Sequence, residues 1–221
     1  MWQVVKVPSV EAEDQRHLHR DLETLKQERA STMTRIQGVL SSQGVRVTSL
    51  TQLPEQLEAL RLWDGSPLPP GRPRRVLRVY AQYMLLSEQI AAIEAERRAQ
   101  LQASTDARID QVRPWMQLKG IGITGAWLLV MEFFGWRAFK NRREVGGLAG
   151  FTPTPYQSGE SAREQGMTKA GNRHVRWMTT ELAWSWLRFQ PDSALSCWFR
   201  ERFGSGGKRL RRIGIVAVAR K

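Results

Sequence analysis

The first long segment of the chain repeats apolar residues at the spacing of an α-helix. Between Leu18 and Leu40 they recur at steps of three, four or multiples of these, which predicts one buried stripe on a helix that ends at about Ser41. Pro8 and Ser9 precede the stripe, and a serine hydroxyl can accept a hydrogen bond from a free amide of the first turn. The sequence therefore predicts one long amphipathic helix here.

A second long helix is predicted from residue 74 to about residue 103, because its apolar residues form a heptad seam. The seam consists of Val79, Tyr83, Leu86, Ile90 and Ile93. Such a seam needs a helical partner to cover it. The two long helices pair as an antiparallel hairpin within one chain, or the seam joins two chains as a coiled-coil dimer, and the sequence leaves both open. We expect a homo-oligomer that forms through the coiled coil.

Breaks in these patterns divide the chain into four segments. They are a long amphipathic helix (1–45), a Pro/Gly-rich connector (46–73), a coiled-coil helix (74–105) and a basic domain (106–221). In the last segment, helical patterns cover about 122–134, 141–149, 172–189 and 194–203, with a loop at 151–169. The expected fold class is mainly α: a long helical coiled-coil arm followed by a compact helical domain with a helix-hairpin-helix-like turn.

Positive charge is concentrated in the second half of the chain. The whole chain has 34 Lys and Arg residues against 21 Asp and Glu, a formal charge of +13. Up to residue 105 there are 14 basic and 12 acidic residues, whereas the remainder has 20 basic and 9 acidic residues. Cations that neutralise phosphates release condensed counterions, so this surplus favours DNA or another nucleic acid as the partner. Solubility or an anionic membrane surface would also explain the charge alone.

No segment is long and apolar enough to predict a membrane span. The longest apolar run starts at Ala126 and is interrupted by Glu132, far short of the roughly 20 residues that a spanning helix needs. The first residues also lack the basic leader and apolar core of a signal peptide. We therefore expect a cytoplasmic protein without a membrane partner.

A glycine-rich turn lies near the start of the basic domain. The sequence Leu118-Lys-Gly-Ile-Gly resembles the hairpin of a helix-hairpin-helix motif, in which glycines allow a tight turn and free amides hold a phosphate. Lys119, Gly120 and Gly122 are the candidate nucleic-acid-binding residues of this turn. The same pattern also occurs in ordinary tight turns between packed helices.

The predicted loop displays a hydroxyl group, because Ser158 stands there beside Gly159. Basic residues follow that can hold a phosphodiester and stabilise charge on the reacting phosphorus. They are Arg163, Lys169, Arg173 and Arg176, the last two after the predicted helix cap Asn172. The arrangement suits a serine that attacks a phosphate, while a simple turn with a self-bonded hydroxyl also explains Ser158.

Other ionisable side chains predict no metal site. Glu132 is either a catalytic carboxylate or an acid that faces outward or pairs with an arginine. His17 and His19 point to different faces of a helix and cannot share a metal ion. A second basic cluster, formed by Lys208-Arg-Leu-Arg-Arg and by Arg220-Lys221, is either a solvated tail or a second contact to a nucleic-acid backbone.

Four motifs in this order resemble the C-terminal domain of the insertion-sequence one-ten family of transposases. They are Gln117-Leu-Lys-Gly-Ile-Gly, Phe139-Lys-Asn-Arg-Arg-Glu, Leu148-Ala-Gly-Phe-Thr-Pro-Thr-Pro-Tyr-Gln-Ser-Gly and Thr168-Lys-Ala-Gly-Asn-Arg-His-Val-Arg. The likeness extends from about residue 113 to residue 221. It implies a recombinase guided by a structured bridge RNA, with Ser158 as the nucleophile that forms a phosphoserine link to DNA.

The family resemblance also implies parts that this chain does not match. Family members carry an N-terminal RuvC-like domain whose DEDD carboxylates bind magnesium. We therefore expect Mg²⁺ only together with that domain, no cofactor in this chain, and a truncated protein that is inactive alone. Whether the chain acts as an enzyme stays open, and the alternative is a non-catalytic module for nucleic-acid binding and dimerisation.

Overall fold

The described residues are mainly helical, as the sequence predicts. The computed structural model describes residues 7–103, 106–159 and 161–221. Its backbone forms two units. We call residues 17–100 the arm unit, and the described residues up to 16 together with those from 101 onward the basic unit. Over these described ranges, no helix has both the length and the apolar character needed to cross a membrane.

The secondary-structure elements of the described residues are bounded as follows. The α-helices are α1 (Val10–Ser41), α2 (Leu53–Leu57), α3 (Gly71–Ala103), α4 (Ala107–Asp110), α5 (Val112–Met116), α6 (Ile123–Leu128), α7 (Arg142–Leu148), α8 (Arg173–Phe189), α9 (Ala194–Phe203) and α10 (Lys208–Arg220). A π-helical turn, Leu129–Phe134, continues α6. Two antiparallel strands, β1 (Pro153–Ser158) and β2 (Ser161–Met167), form a hairpin.

The start of α1 follows the predicted capping pattern. The Ser9 hydroxyl accepts a hydrogen bond from the backbone N–H of Ala12 at 3.2 Å. Glu11 and Glu13 lie in the first turn, where negative charge complements the helix dipole. Hydrogen bonds from its own backbone and from Ser9 lower the pKa of Glu11 below its ordinary value.

In the arm unit, α1 and α3 pair as antiparallel helices of one chain. Lys26 of α1 and Glu94 of α3 form an ion pair at 2.7 Å, while Ile36 near the end of α1 shares a core with Val76 near the start of α3. The predicted heptad seam is the covered face of α3, with Ile90 buried and its other members half-buried. The hairpin arrangement is therefore the one observed, and association of two chains stays a prediction.

The segment between α1 and α3 is folded onto the same core. Pro54 lies at the start of α2, where the missing N–H of proline costs no helical hydrogen bond. Leu53 and Leu57 of this short helix are buried together with Ile36. The Pro/Gly-rich connector thus supplies part of the arm unit's core, and α3 begins at Gly71, slightly earlier than predicted.

In the basic unit, α8 contacts α6, the π-helical turn and α10. Its buried residues include Val175 and Ala183. Val175 belongs to an apolar cluster with Phe133 and Phe151, and Ala183 belongs to a second cluster with Phe199 of α9 and with residues of α10. This helix therefore positions most of the elements described below.

The predicted loop at 151–169 is wrong, because most of these residues form the β1–β2 hairpin. Pro153 faces Met167 at its base and Ser158 faces Ser161 at its tip, with a register irregularity just after Pro153. Proline has no N–H for a strand ladder, so a segment with alternating prolines reads as a loop. Among the described residues no third strand joins this hairpin, so one edge of each strand makes no ladder hydrogen bonds. Prolines are tolerated at such an edge.

The solvated-tail interpretation of the run that starts at Lys208 is also wrong. These residues form the first turn of α10, and the opposite face buries Ile215 and Val218 against α8 and α9. A Cβ at Gly214 would lie 2.6 Å from Cγ of Phe203, so this glycine lets α10 approach α9 closely. The basic side chains remain exposed on the outer face.

Candidate nucleic-acid interface

The amino-terminal end of α8 is held by a side-chain cap. Asn172 Oδ1 accepts hydrogen bonds from the backbone N–H of His174 at 2.9 Å and of Val175 at 3.3 Å. The backbone N–H of Asn172 donates to the carbonyl oxygen of Leu148 at 3.0 Å. Asn172 therefore caps α8 as predicted and ties its start to the end of α7.

A fully buried carboxylate lies behind this cap. Glu132, in the π-helical turn, is 0% exposed, and its Oε2 accepts a hydrogen bond from Asn172 Nδ2 at 3.0 Å. The same oxygen accepts from Arg16 Nη2 at 3.0 Å and from Arg16 Nε at 3.2 Å. The outward-facing interpretation of Glu132 is wrong, and its pairing with an arginine is confirmed. Because charge-assisted hydrogen bonds compensate for its burial, Glu132 can orient the cap of α8.

Two arginines flank the indole ring of Trp136 close to this carboxylate. The guanidinium carbon of Arg137 lies 4.0 Å from the ring centroid and that of Arg16 lies 5.3 Å from it. Burial lowers the pKa of Arg137, and the neighbouring charge of Arg16 lowers it further, whereas Glu132 acts in the opposite direction. The Glu132 carboxylate is thus surrounded by cations and aromatic surface.

The three predicted cations around Asn172 take different roles in the structure. Arg176 Nη1 donates to the carbonyl oxygen of Lys169 at 3.0 Å and to that of Ala149 at 3.2 Å. Lys169 itself has a positive φ of 54°, so Arg176 stabilises a turn that few side-chain-bearing residues adopt. The side chains of Lys169 and Arg173 are exposed. These two cations are therefore open to a phosphate, while Arg176 mainly holds the backbone.

Ser158 lies at the tip of the hairpin and is exposed. Gly159 follows it with a φ of 56°, and a Cβ added there would meet no atom within 4 Å. Tyr156 lies two residues earlier, on the same face of β1, and is 55% exposed. Arg163 faces Tyr156 across the ladder, but its side chain lies outside the described part of the structure.

The length of the hairpin separates Ser158 from the cations near α8. At the base, the backbone N–H of Lys169 donates to the carbonyl oxygen of Gly150 at 3.3 Å. From Pro153 at the base, β1 extends to Ser158 for about 17 Å at about 3.3 Å per residue. The structure therefore places Lys169 at the base of the hairpin and Arg173 at the start of α8, whereas Ser158 lies further out at the hairpin tip.

The glycine turn lies at the opposite end of α8. Gly120 has a φ of 93°, and a Cβ there would lie 3.2 Å from Cβ of Ser185. Gln190 Nε2 donates to the carbonyl oxygen of Lys119 at 3.2 Å, whose side chain is exposed, and Gly122 immediately precedes α6. Given the rise of an α-helix, roughly 20 Å of α8 separates this turn from the Asn172 cap. The two predicted phosphate sites are therefore distinct places.

The described residues do not fit a magnesium site. No group of three His, Cys, Asp or Glu side chains among them is close enough together to hold a metal ion. His19 is buried, with Nε2 at 3.4 Å from Oε1 of Glu23. The magnesium chemistry that the family resemblance implies therefore has no ligand set in this part of the chain.

Sequence reasoning missed the anchoring role of Glu132. A single acid inside an apolar run is a signal for a buried, paired carboxylate. The sequence does not indicate which arginine pairs with Glu132, because Arg16 is separated from it by more than a hundred residues. Tyr156 was visible in the sequence, but its exposure depends on the hairpin.

The segment from Arg113 to Cys197 carries a family assignment. It contains the glycine turn, the hairpin and the capped end of α8, and it matches the family model described as Transposase IS116/IS110/IS902 family. Residues 113–197 are thus similar to the transposases of that family. The matched segment includes Ser158 as well as Lys169 and Arg173.

Curated proteins that this chain resembles extend the likeness beyond that segment. The putative transposase y4rJ of Sinorhizobium fredii (strain NBRC 101917 / NGR234) is 41% identical over 228 residues, covering 99% of this chain and 57% of that protein. The transposase for insertion sequence element IS1328 of Yersinia enterocolitica is 26% identical over 173 residues, covering 75% of this chain and 48% of that protein. The chain thus spans about half the length of these relatives.

Proposed function

We propose that this chain belongs to an insertion-sequence transposase and takes part in DNA transposition as its serine-bearing, DNA-binding portion. The observation that carries the proposal is the match of residues 113–197 to the transposase family. The matched segment includes an exposed hydroxyl at the tip of a projecting hairpin and two exposed cations at its base. With a DNA substrate, its place of action is the bacterial cytoplasm at the nucleoid.

In this proposal, side chains rather than helix amides hold the phosphate near α8. Asn172 already accepts hydrogen bonds from the N–H groups of His174 and Val175, so fewer of the amides that usually bind anions are free. Lys169 and Arg173 are exposed on the same turn and neutralise phosphate charge instead. Binding is expected to weaken steeply as salt concentration rises, because counterions are released on binding.

The hairpin is the element that reaches the reacting strand. The major groove of DNA admits a two-stranded β-ribbon, and this ribbon has no further strand paired to it within the described residues. Tyr156 and Ser158 lie on the same face of β1, which is the face we place against DNA. Gly159 leaves open space around the tip, so that the hydroxyl can reach a phosphodiester.

The proposed chemical step is a transesterification at phosphorus. Ser158 Oγ forms a bond to the phosphorus while the bond from that phosphorus to one deoxyribose oxygen breaks. The serine hydroxyl loses its proton and the released deoxyribose oxygen gains one, so one phosphodiester is exchanged for another. Cations at the site stabilise the charge that develops on the phosphoryl oxygens. Attack on the phosphoserine by a different strand then rejoins DNA.

The test is a covalent-adduct assay with nicked duplexes of random sequence. After the attack the short strand beside the nick is released and cannot rejoin. The protein therefore stays covalently linked to the DNA, and the adduct survives detergent electrophoresis. With the magnesium-binding domain that the family resemblance implies supplied as a separate protein, we expect an adduct with the unchanged chain and with Ser161→Ala, and none with Ser158→Ala; without that domain we expect no adduct. Ser161 is the matched control because it faces Ser158 in the ladder and is also exposed. An adduct that persists in Ser158→Ala contradicts the proposed nucleophile.

A second candidate function is a non-catalytic module for nucleic-acid binding and dimerisation. The observation that favours it is the separation of about 17 Å, by strand rise, between Ser158 and the base of the hairpin where the described cations lie. In that case the unchanged chain and the Ser158→Ala variant bind DNA equally well, and neither forms an adduct.

Two partners remain part of the proposal. A structured guide RNA fits the same cationic surface, because the exposed basic residues of α8 and α10 contact phosphates of either nucleic acid. A second copy of this chain fits the outer face of α3, where Leu77, Met84 and Leu85 are 42%, 40% and 56% exposed. Apolar residues on an outer helix face favour association.

A further inference from the structure

A cationic groove lies between α7 and the end of α10, in a part of the domain that the proposed reaction does not use. We call it the α7–α10 groove. Its volume is about 540 Å³, and it is lined by Arg142, Arg143, Gly146, Thr152, Trp198, Ala217, Arg220 and Lys221. Its four basic residues are all exposed, and none of the described lining residues is acidic. Such a groove suits an anion.

An apolar cavity of about 500 Å³ adjoins this groove. The two spaces share Arg142, Gly146, Arg220 and Lys221. Beyond these residues, aromatic side chains form much of the cavity wall, namely Trp115, Phe133, Phe134, Phe151 and Trp186. Its wall is therefore apolar and aromatic inside, with basic residues where it meets the groove.

We propose that the groove and the cavity together hold one unpaired nucleotide of a nucleic-acid strand, with the phosphate in the groove and the base in the cavity. This inference rests on the proposed function, since it assumes that the domain handles nucleic acid. It adds a base-binding site whose lining includes none of Ser158, Lys169, Asn172 and Arg173.

The dimensions and chemistry of the cavity fit a base. Small-molecule sites typically have about 300 to 1,000 Å³ and are mostly apolar with a few polar groups. Enzymes that hold an extruded base place it against aromatic and apolar side chains. Trp115 and Phe134 both line the cavity and stack on each other with ring centroids 5.3 Å apart, so they add aromatic surface to its wall, and Thr179 is a polar residue of the lining.

The charge around the groove supports a phosphate. No ion pair joins Arg142, Arg143, Arg220 or Lys221 to a carboxylate side chain of the described residues. Lys221 Nζ lies 4.0 Å from the ring centroid of Trp198, so this cation is held beside an aromatic surface. Unpaired cations above an aromatic-lined cavity are the combination by which proteins bind single strands.

Gly146 offers a way to close the site without disturbing the fold. It lines both the groove and the cavity, and a Cβ there would meet only Cγ of Arg220, at 4.0 Å. Gly147 is its matched control, because it is the next residue of α7 and lines neither space. Both glycines lie within a helix, so leucine at either position also improves helix propensity.

The experiment measures binding of labelled oligothymidine and oligouridine, each compared with a strand of the same length that lacks bases. The full chain is used at low salt, with duplex DNA as a separate ligand. We expect the strands with bases to bind roughly tenfold more tightly than the abasic strand, in keeping with stacking of one base. Gly146→Leu should lose this difference and Gly147→Leu should keep it. The relative affinities of oligothymidine and oligouridine report whether the site prefers a deoxyribonucleotide or a ribonucleotide.

Several results overturn the inference. The inference fails if the unchanged chain binds the abasic strand as tightly as the strands with bases. It also fails if Gly146→Leu and Gly147→Leu lose the difference between these strands to the same extent. If Gly146→Leu fails to fold by circular dichroism, Arg142→Gln and Arg143→Gln replace it and should weaken strand binding, whereas the controls Arg74→Gln and Arg75→Gln, at exposed positions of α3, should not. Binding of duplex DNA without any dependence on bases sinks this inference alone, whereas binding of no nucleic acid sinks the proposed function as well.

Discussion

Glu132 Oε2 lies 3.0 Å from Asn172 Nδ2, so a fully buried carboxylate contacts the residue that caps α8. The two side chains come from the π-helical turn and from the start of α8. π-Helical turns interrupt regular helices and are found often at functional sites. Here the turn carries Glu132, which fixes the side-chain amide of the cap beside the exposed Lys169 and Arg173.

The first prediction compares two helix caps. Asn172→Ala and Asn141→Ala each remove a side chain that accepts two backbone hydrogen bonds. We expect Asn141→Ala to lower the free energy of unfolding by about 1 kcal/mol. We expect Asn172→Ala to cost roughly 2 to 3 kcal/mol, because Glu132 also loses a donor. Urea denaturation measures both values, and equal losses would contradict the role given to Glu132.

The second prediction concerns the close approach of Gly171 to α7. A Cβ there would lie 2.6 Å from the backbone nitrogen of Gly150, a distance at which backbone must move. Gly171→Ala is expected to lower the free energy of unfolding by roughly 2 kcal/mol or more. Gly122→Ala is the control, because a Cβ there meets nothing within 4 Å. A thermal melt that shows no difference between the two variants argues against this tight junction.

The sequence predicted those elements whose signal is local. The stripe of α1 and the seam of α3 follow from apolar spacing, and the Asn172 cap follows from residue type. α10 was missed because the four basic residues at its start, Lys208, Arg209, Arg211 and Arg212, suggested a solvated tail. The hairpin was missed because its prolines hide the alternation of a strand.

The buried pair of Arg16 and Glu132 depends on tertiary contact alone. Spacing along the chain carries no information about two side chains from distant segments, so the sequence left an arginine pair as one of several alternatives for Glu132. The same holds for the α7–α10 groove, whose basic residues come from α7 and from the end of α10 with the residue that follows it. Ser158 was identified through family resemblance, whereas its position at a hairpin tip required the structure.

A third prediction concerns the arginine in the core of the arm unit. Arg97 is 1% exposed, and burial lowers its pKa to about 10, while Glu94 and Glu23 act in the opposite direction. The folded state therefore binds this proton less tightly than the unfolded state. Burial of the charged Arg97 therefore lowers the free energy of unfolding below about pH 10, and this loss of stability declines as pH rises through that value.

Arg97→Met removes that cost while it preserves most of the buried volume. We expect the free energy of unfolding at neutral pH to stay equal or to rise by about 1 kcal/mol. Arg98→Met, at the exposed neighbouring position, is expected to change it by less than about 0.5 kcal/mol. A loss of more than roughly 2 kcal/mol in Arg97→Met would show that its contacts with Glu23 and Glu94 outweigh the burial cost.

The fourth prediction tests self-association through the outer face of α3. Leu85→Glu places a charge among the exposed apolar residues Leu77 and Met84, and a charge buried in an interface without a partner is strongly unfavourable. We expect sedimentation to show a larger fraction of monomer in Leu85→Glu than in the control Glu88→Gln, which changes an exposed residue of the same helix. An identical distribution of species excludes this face as the interface.

The central claim is that the β1–β2 hairpin is the part of the molecule that contacts DNA. The most direct measurement replaces Tyr156 with a photo-crosslinking phenylalanine and irradiates the chain with labelled duplex DNA. The same replacement at Trp63, which is 86% exposed in the arm unit, is the control. The account predicts strong DNA crosslinking from position 156 and little from position 63. Crosslinking from position 63 that equals or exceeds that from position 156 would contradict it.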